Sequence, residues 1–125
     1  MEHTRTVAVL GATGYIGGRL VTSLLERGWT VRAVGRNPEK LRCRPFAAHP
    51  NVELAQADAL DQAALTAALR GCHAAYYLVH SMYPGVKSFE DRDKRAATIM
   101  RDTARDSGLE RILYLGGLGD TDTDL

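Results

Sequence analysis

The chain has 125 residues, carries 16 Lys and Arg against 15 Asp and Glu, and is 45% hydrophobic. That length suits one compact domain, and the near balance of charge gives no electrostatic reason to bind nucleic acid or an anionic membrane. No apolar run approaches the roughly 20 residues of a membrane span, the charged and polar start is not a signal peptide, and two cysteines, Cys43 and Cys72, make neither a disulfide framework nor a metal site, so the expectation is a reduced, cytoplasmic protein.

RTVAVLGA, the first apolar run, reads as a buried strand. YIGGRLVTSLLERG reads as a helix with Ile16, Leu20 and Leu24 on its inner face and Gly28 as its stop. TVRAVGR is a second strand, and NPEKLRC is a short helical turn opened by Asn37 and Pro38. VELAQAD is a third strand, with Val52 and Leu54 on one face. LDQAALTAALRG is a helix in which Asp61 is the N-cap, Leu60 and Leu65 are the apolar pair that staples the start, and Gly71 closes the end. AAYYLVH is a fourth strand, whose Tyr76 and Tyr77 serve packing. SMYPGVKSFED is a loop, and RDKRAATIMRDTARDSG is a helix with Ala96, Ile99, Met100 and Thr103 facing inward and Gly108 as its stop. RILYLGG is a fifth strand, followed by polar DTDTDL.

Strands alternating with helices at this spacing define the fold class as α/β, a Rossmann-like doubly wound parallel sheet. Five strands are expected in the order 3-2-1-4-5, with right-handed crossovers and helices on both faces. Such a sheet places ligands at the carboxyl ends of its strands, at the switch point between strands 1 and 4.

The segment GATGYIG lies at that switch point. Gly11 permits a tight turn, Gly14 permits close approach of the backbone to a pyrophosphate, and Gly17 permits close packing of helix on sheet. The helix that follows offers free N–H groups and a positive dipole end to phosphates. The cofactor-binding candidates here are Gly11, Thr13, Gly14, Tyr15, Ile16 and Gly17. The competing explanation is a glycine turn kept only for helix–strand packing. No Gly-Lys-Ser/Thr follows, which excludes a P-loop.

Specificity is read at the end of strand 2, where an acidic residue would bond the ribose 2′-OH of NAD. Gly35 and Arg36 stand there instead. A guanidinium grips a 2′-phosphate bidentately, and Lys40 adds charge, so NADP(H) is expected over NAD(H). The competing role for Arg36 is a solvated loop charge.

Together, GATGYIG, VRAVGRNPEKL, QADALD and LERILYLGGLG resemble the extended and atypical short-chain dehydrogenase/reductases. The resemblance covers nearly the whole chain. It is strongest to the NAD(P)H-binding branch near the nitrogen-metabolite-repression regulators, and YYLVHSM with RILYLGGLG is similar to bacterial proteins described as nucleoside-diphosphate-sugar epimerases. It implies that Asp58, with Ala59 beside it, contacts the adenine, against the alternative of a strand-end turn. It also implies that Val79 and His80 pass the cofactor ribose. His80 either meets the nicotinamide side or is satisfied by backbone.

Active members of the family use a Ser at the end of strand 5 and a Tyr-x-x-x-Lys pair on the next helix. Gly116 and Gly117 occupy the Ser region, and the sequence ends before such a helix. Tyr83 and Lys87 have the right spacing, but Pro84 and Gly85 make that stretch a turn, and it follows strand 4. The catalytic residues therefore stay unknown. Residues 1–125 are expected to form one NAD(P)-binding domain, the N-terminal part of a longer oxidoreductase or epimerase. The alternatives are a non-catalytic dinucleotide-sensing regulator or assembly factor, and a purely structural domain. The expected partners are a dinucleotide and a small substrate, with no metal. The edge of strand 5 offers a place for a homodimer.

Overall fold

Strand β1 (Thr6–Leu10) places Val7 and Val9 on one face and Ala8 and Leu10 on the other, and all four are buried. A strand apolar on both faces has to be covered from both sides, which puts it at the centre of a sheet. In the computed structural model, which describes residues 5–58, 60–78 and 89–114, β1 pairs in parallel with β2 (Thr30–Gly35) on one side and β4 (Cys72–Tyr77) on the other. β3 (Val52–Gln56) lies beyond β2, and β5 (Arg111–Tyr114) beyond β4. The order is β3-β2-β1-β4-β5, all parallel, as expected from the sequence.

Two cores sandwich the sheet. On one face, Val7, Val9, Val31 and Ala33 meet Val21, Leu24 and Leu25 of α1 (Tyr15–Glu26) and Leu41 of α2 (Pro38–Arg42). On the other face, Ala8, Leu10, Val34 and Ala75 meet Leu65, Ala68 and Leu69 of α3 (Gln62–Leu69) and Met100 of α4 (Phe89–Ser107). The expected caps are in place. Asn37 Oδ1 accepts from the N–H groups of Glu39 and Lys40 at 2.9 and 3.2 Å, and Asp61 Oδ1 accepts from that of Ala64 at 3.1 Å. Leu60 packs against the core cluster that contains Leu65, as a staple does.

Some expectations need correction. The inner face of α1 is Gly17, Val21, Leu24 and Leu25, and Ile16 is 49% exposed. The close seat of Gly17 on the end of β1 fixes the helix rotation and turns its neighbour outward. Leu54 shares its face with Val52 but stays 38% exposed, because β3 is an edge strand. Helix α4 begins at Phe89 rather than Arg92, and β4 begins at Cys72 rather than Ala74. A 3₁₀ turn, Pro45–Ala48, follows α2 and buries Phe46 in the α1 face of the core. Ile99, Met100 and Thr103 face inward as expected, and the side chain of Ala96 lies outside the described residues.

One charged residue, Arg32, sits on an inner strand of the sheet. Arg32 of β2 lies opposite Glu53 of β3 and donates to its carboxylate at 2.8 Å. The same guanidinium donates to the carbonyls of Ala68 and Arg70, each at 2.7 Å. Those carbonyls end α3, where helix geometry leaves acceptors without partners and the dipole favours a cation. Replacing Arg32 with Met should therefore cost about 2 kcal/mol, the scale of a hydrogen bond to a charged group with the orphaned partners partly rehydrated. A urea midpoint lowered without a change in slope is the expected reading, and an unmoved midpoint would contradict it.

Cys72, at the start of β4, is buried next to Arg32 and Glu53. Burial pushes its thiol up, and Glu53 adds to this while Arg32 opposes it. A folded-state value above the unfolded one gives stability that is complete at neutral pH and is lost as pH rises through the folded value. Cys43 is exposed. A thiol reagent at pH 8 should therefore label Cys43 at once and Cys72 only on unfolding. Equal rates at both cysteines in the folded protein would contradict this.

Candidate functional site

The carboxyl ends of β1, β2 and β4 are tied together around the glycine segment. The N–H groups of Gly11 and Ala12 both donate to the Val34 carbonyl, at 3.1 and 3.3 Å, and the Leu78 N–H donates to the Leu10 carbonyl at 3.1 Å. Gly11 has φ +88°, and a Cβ there would lie 3.0 Å from the Leu78 carbonyl oxygen. The turn closes when the Gly14 N–H donates to the Gly11 carbonyl at 3.1 Å. A Cβ on Gly17 would lie 2.2 Å from that same carbonyl oxygen, so nothing larger fits under α1.

Gly14 differs from both. Its φ is −76°, an angle any residue adopts. It is exposed, and a Cβ there would find only the Gly11 carbonyl oxygen, at 3.4 Å. The fold needs glycine at 11 and 17 but not at 14. Gly14 is also the N-cap of α1 and offers no side-chain acceptor to the first turn. The N–H groups that open the helix thus lack an intrahelical partner, beside the exposed Tyr15 and Ile16. A bare backbone corner at a positive helix end, with its cap position left empty of side chain, fits a pyrophosphate.

Beside this corner lies the end of β2. A Cβ on Gly35 would lie 3.4 Å from both Thr13 Cγ2 and Leu41 Cγ, which places Thr13 directly between strand end and loop. Arg36 is exposed. Its carbonyl accepts from Gln56 Nε2 at 3.2 Å, while its guanidinium has no partner among the described residues. A groove of about 520 Å³ runs along Thr13, Asn37, Glu39, Lys40, Cys43 and Arg44. Arg44, which the sequence reading passes over, donates through Nη2 to the Thr13 carbonyl. Its place directly before the Pro45-Phe46 pair marks a turn, but only the fold shows that the turn returns to the loop.

Asp58 lies beyond the carboxyl end of β3, exposed, with Oδ1 accepting from the Leu60 N–H at 2.9 Å. That is the bonding of a strand-end turn. Ala59, Val79, His80, Tyr83, Lys87, Gly116 and Gly117 lie outside the described residues. Tyr76 and Tyr77 pack against the two cores, one on each face. Tyr15, 77% exposed, accepts a hydrogen bond from Arg19 Nη1 at 3.2 Å. Among the described residues no group of three or more His, Cys, Asp or Glu could hold a metal ion, and no helix is long and apolar enough to cross a membrane.

The fold and this corner define a dinucleotide-binding domain of the Rossmann type. Residues 11–124 match a family model described as NAD(P)H-binding, and the chain belongs to that family, among the short-chain dehydrogenase/reductase-like oxidoreductases and epimerases. It is 30% identical over 129 residues to a dihydroflavonol 4-reductase of Callistephus chinensis, an alignment covering 91% of this chain and 34% of the relative. Among solved structures, an NADPH-dependent quinone oxidoreductase of Escherichia coli, complexed with NADPH, aligns with a TM-score of 0.73 and 27% identity over 95% of this chain and 39% of that one. A uronate dehydrogenase of Agrobacterium tumefaciens shares the fold, with a TM-score of 0.74 and 23% identity over 90% of this chain and 41% of that one. The chain spans about a third of the length of the curated relatives it matches.

Gly14 and Gly17 should therefore respond differently to substitution. Gly17→Ala should cost about 3 kcal/mol or more, since backbone lies where its methyl would go. Gly14→Val should cost only about 1 kcal/mol at a cap position yet abolish dinucleotide binding. Thermal unfolding and cofactor titration on both variants check this, and full cofactor affinity in Gly14→Val would contradict the reading of the corner.

Proposed function

We propose that the chain binds NADP(H) in preference to NAD(H), as the cofactor-binding part of a short-chain dehydrogenase/reductase-type oxidoreductase or epimerase. The observation that carries the preference is the end of β2. Gly35 faces Thr13 with no carboxylate to bond a ribose 2′-OH, and the Arg36 guanidinium next to it is unpaired among the described residues. A carboxylate there would repel a 2′-phosphate, whereas a guanidinium attracts it.

In this reading the backbone from Gly11 to Gly17 holds the pyrophosphate, with Thr13, Tyr15 and Ile16 along it. Arg36 and Lys40 hold the 2′-phosphate. Asp58, exposed beyond β3, and Ala59 border the adenine, and Val79 and His80 border the ribose on the nicotinamide side. The nicotinamide ring, when bound, supplies hydride chemistry. The reductase and NADPH-dependent oxidoreductase activities named for those relatives support an enzyme of the same broad type.

A charge-assisted hydrogen bond is worth about 1.5–3 kcal/mol, so NADP(H) should bind about ten- to a hundredfold more tightly than NAD(H). Arg36→Ala should remove most of that difference and hardly change NAD(H) affinity. Calorimetric titration with both cofactors at fixed salt measures this. Equal affinities in the parent chain, or a preference untouched by Arg36→Ala, would overturn the assignment.

A further inference from the structure

β1 and β4 do not pair evenly. Thr6 lies opposite Cys72 and Val7 opposite Ala74, which leaves His73 without an opposite residue. Such an extra residue is a bulge, uncommon between parallel strands, and it re-aims the side chain it carries. The His73 side chain is 23% exposed and meets the residues that lead into the two flanking strands. Arg5, before β1, brings Nη1 to 3.2 Å from Nδ1 and 3.3 Å from Nε2. Glu110, before β5, brings Oε1 to 3.2 Å from Nδ1, and its N–H donates to the His73 carbonyl at 3.0 Å. Other charges on the adjoining elements turn elsewhere among the described residues. Arg32 binds Glu53 and the α3 carbonyls, and Arg105 pairs with Asp102 and Asp106. Glu26 and Arg27 at the end of α1, Arg70 at the end of α3 and Arg111 of β5 are exposed and form no bond to the ring.

From this geometry we infer that His73 is a pH-operated clamp, which ties the starts of β1 and β5 together when neutral and releases Arg5 when protonated. A neutral imidazole has one donor and one acceptor, an arginine only donors, and an ionised carboxylate only acceptors. With the proton on Nδ1, the ring donates to Glu110 and accepts from Arg5 through Nε2, so both partners are satisfied. With both nitrogens protonated, the Arg5 contact sets donor against donor and cation against cation, while the bond to Glu110 gains charge. An imidazole makes this change within the physiological pH range. The Arg5 contact favours the neutral ring, so its hold on β1 is present above the titration and lost as pH falls through it; the Glu110 contact favours the charged ring and strengthens in the same direction. The clamp is at the amino ends of the strands, away from the glycine segment at their carboxyl ends, and rests on none of the cofactor assignments.

NMR on the parent protein, His73→Gln and Arg5→Gln tests this across the titration of the His73 ring, which is told from the other three histidines by its loss in His73→Gln. Amide exchange at Thr6 and Val7, corrected for its intrinsic pH dependence, should quicken about two- to fivefold on protonation in the parent, the scale of a partly exposed charged contact. Exchange at Ile112 of β5 should not quicken. Both variants should lose the response, because a glutamine amide does not titrate and can both donate and accept. Arg5→Gln carries the test if His73→Gln does not fold. The ring nitrogen shifts of the neutral parent should place the proton on Nδ1. Exchange at Thr6 and Val7 unmoved while the ring titrates would overturn the inference. So would an equal response in Arg5→Gln, or a neutral ring with its proton on Nε2, which leaves Glu110 without a donor.

Discussion

The structure depends on one close approach, that of α1 to the end of β1 at Gly17. A single methyl group there would lie 2.2 Å from the Gly11 carbonyl oxygen. Because the helix sits this low, its rotation is fixed, with Val21, Leu24 and Leu25 buried against Val7, Val9 and Val31. The same seating sets the first turn of α1 against Gly11 at the carboxyl end of β1, at the switch point of the sheet. Packing and ligand geometry therefore have a common origin. The requirement that excludes a side chain at Gly17 also sets the direction in which Gly14 exposes bare backbone.

Gly14 separates the two explanations of the glycine segment that the sequence leaves open. If the segment existed only to pack helix on sheet, glycine would be needed wherever it occurs. At Gly14 the backbone angles are ordinary and a Cβ would meet nothing closer than 3.4 Å. A Ser, Thr or Asp would cap the helix better. The residue present leaves the helix end uncapped, which is intelligible when an anion from outside takes the place of the cap.

Much of the fold is legible in the sequence because each element announces itself locally. Apolar runs without alternation mark strands covered on both faces, and Asn37 and Asp61 mark helix starts by side-chain bonds they make within three residues. What is not legible depends on contacts distant in sequence. Ile16 belongs to an apolar stripe by spacing, yet it faces solvent because its neighbour sets the helix rotation. Arg32 looks out of place in a core strand until α3 brings two carbonyls to it, from residues 36 and 38 positions away. Arg44 reads as one more surface charge, and its bond to Thr13 spans 31 positions. In the site, then, the glycine segment is readable from sequence, whereas the cation groove beside it is a property of the fold.

The central claim is that the first turn of α1 is the phosphate cradle, and backbone amide NMR tests it most directly. On titration with NADPH, the amide resonances of Tyr15, Ile16 and Gly17 should shift the most and saturate together, because a phosphate would accept from these N–H groups. If NADPH binds and those three amides stay unmoved while others shift, the cradle lies elsewhere and the account is wrong.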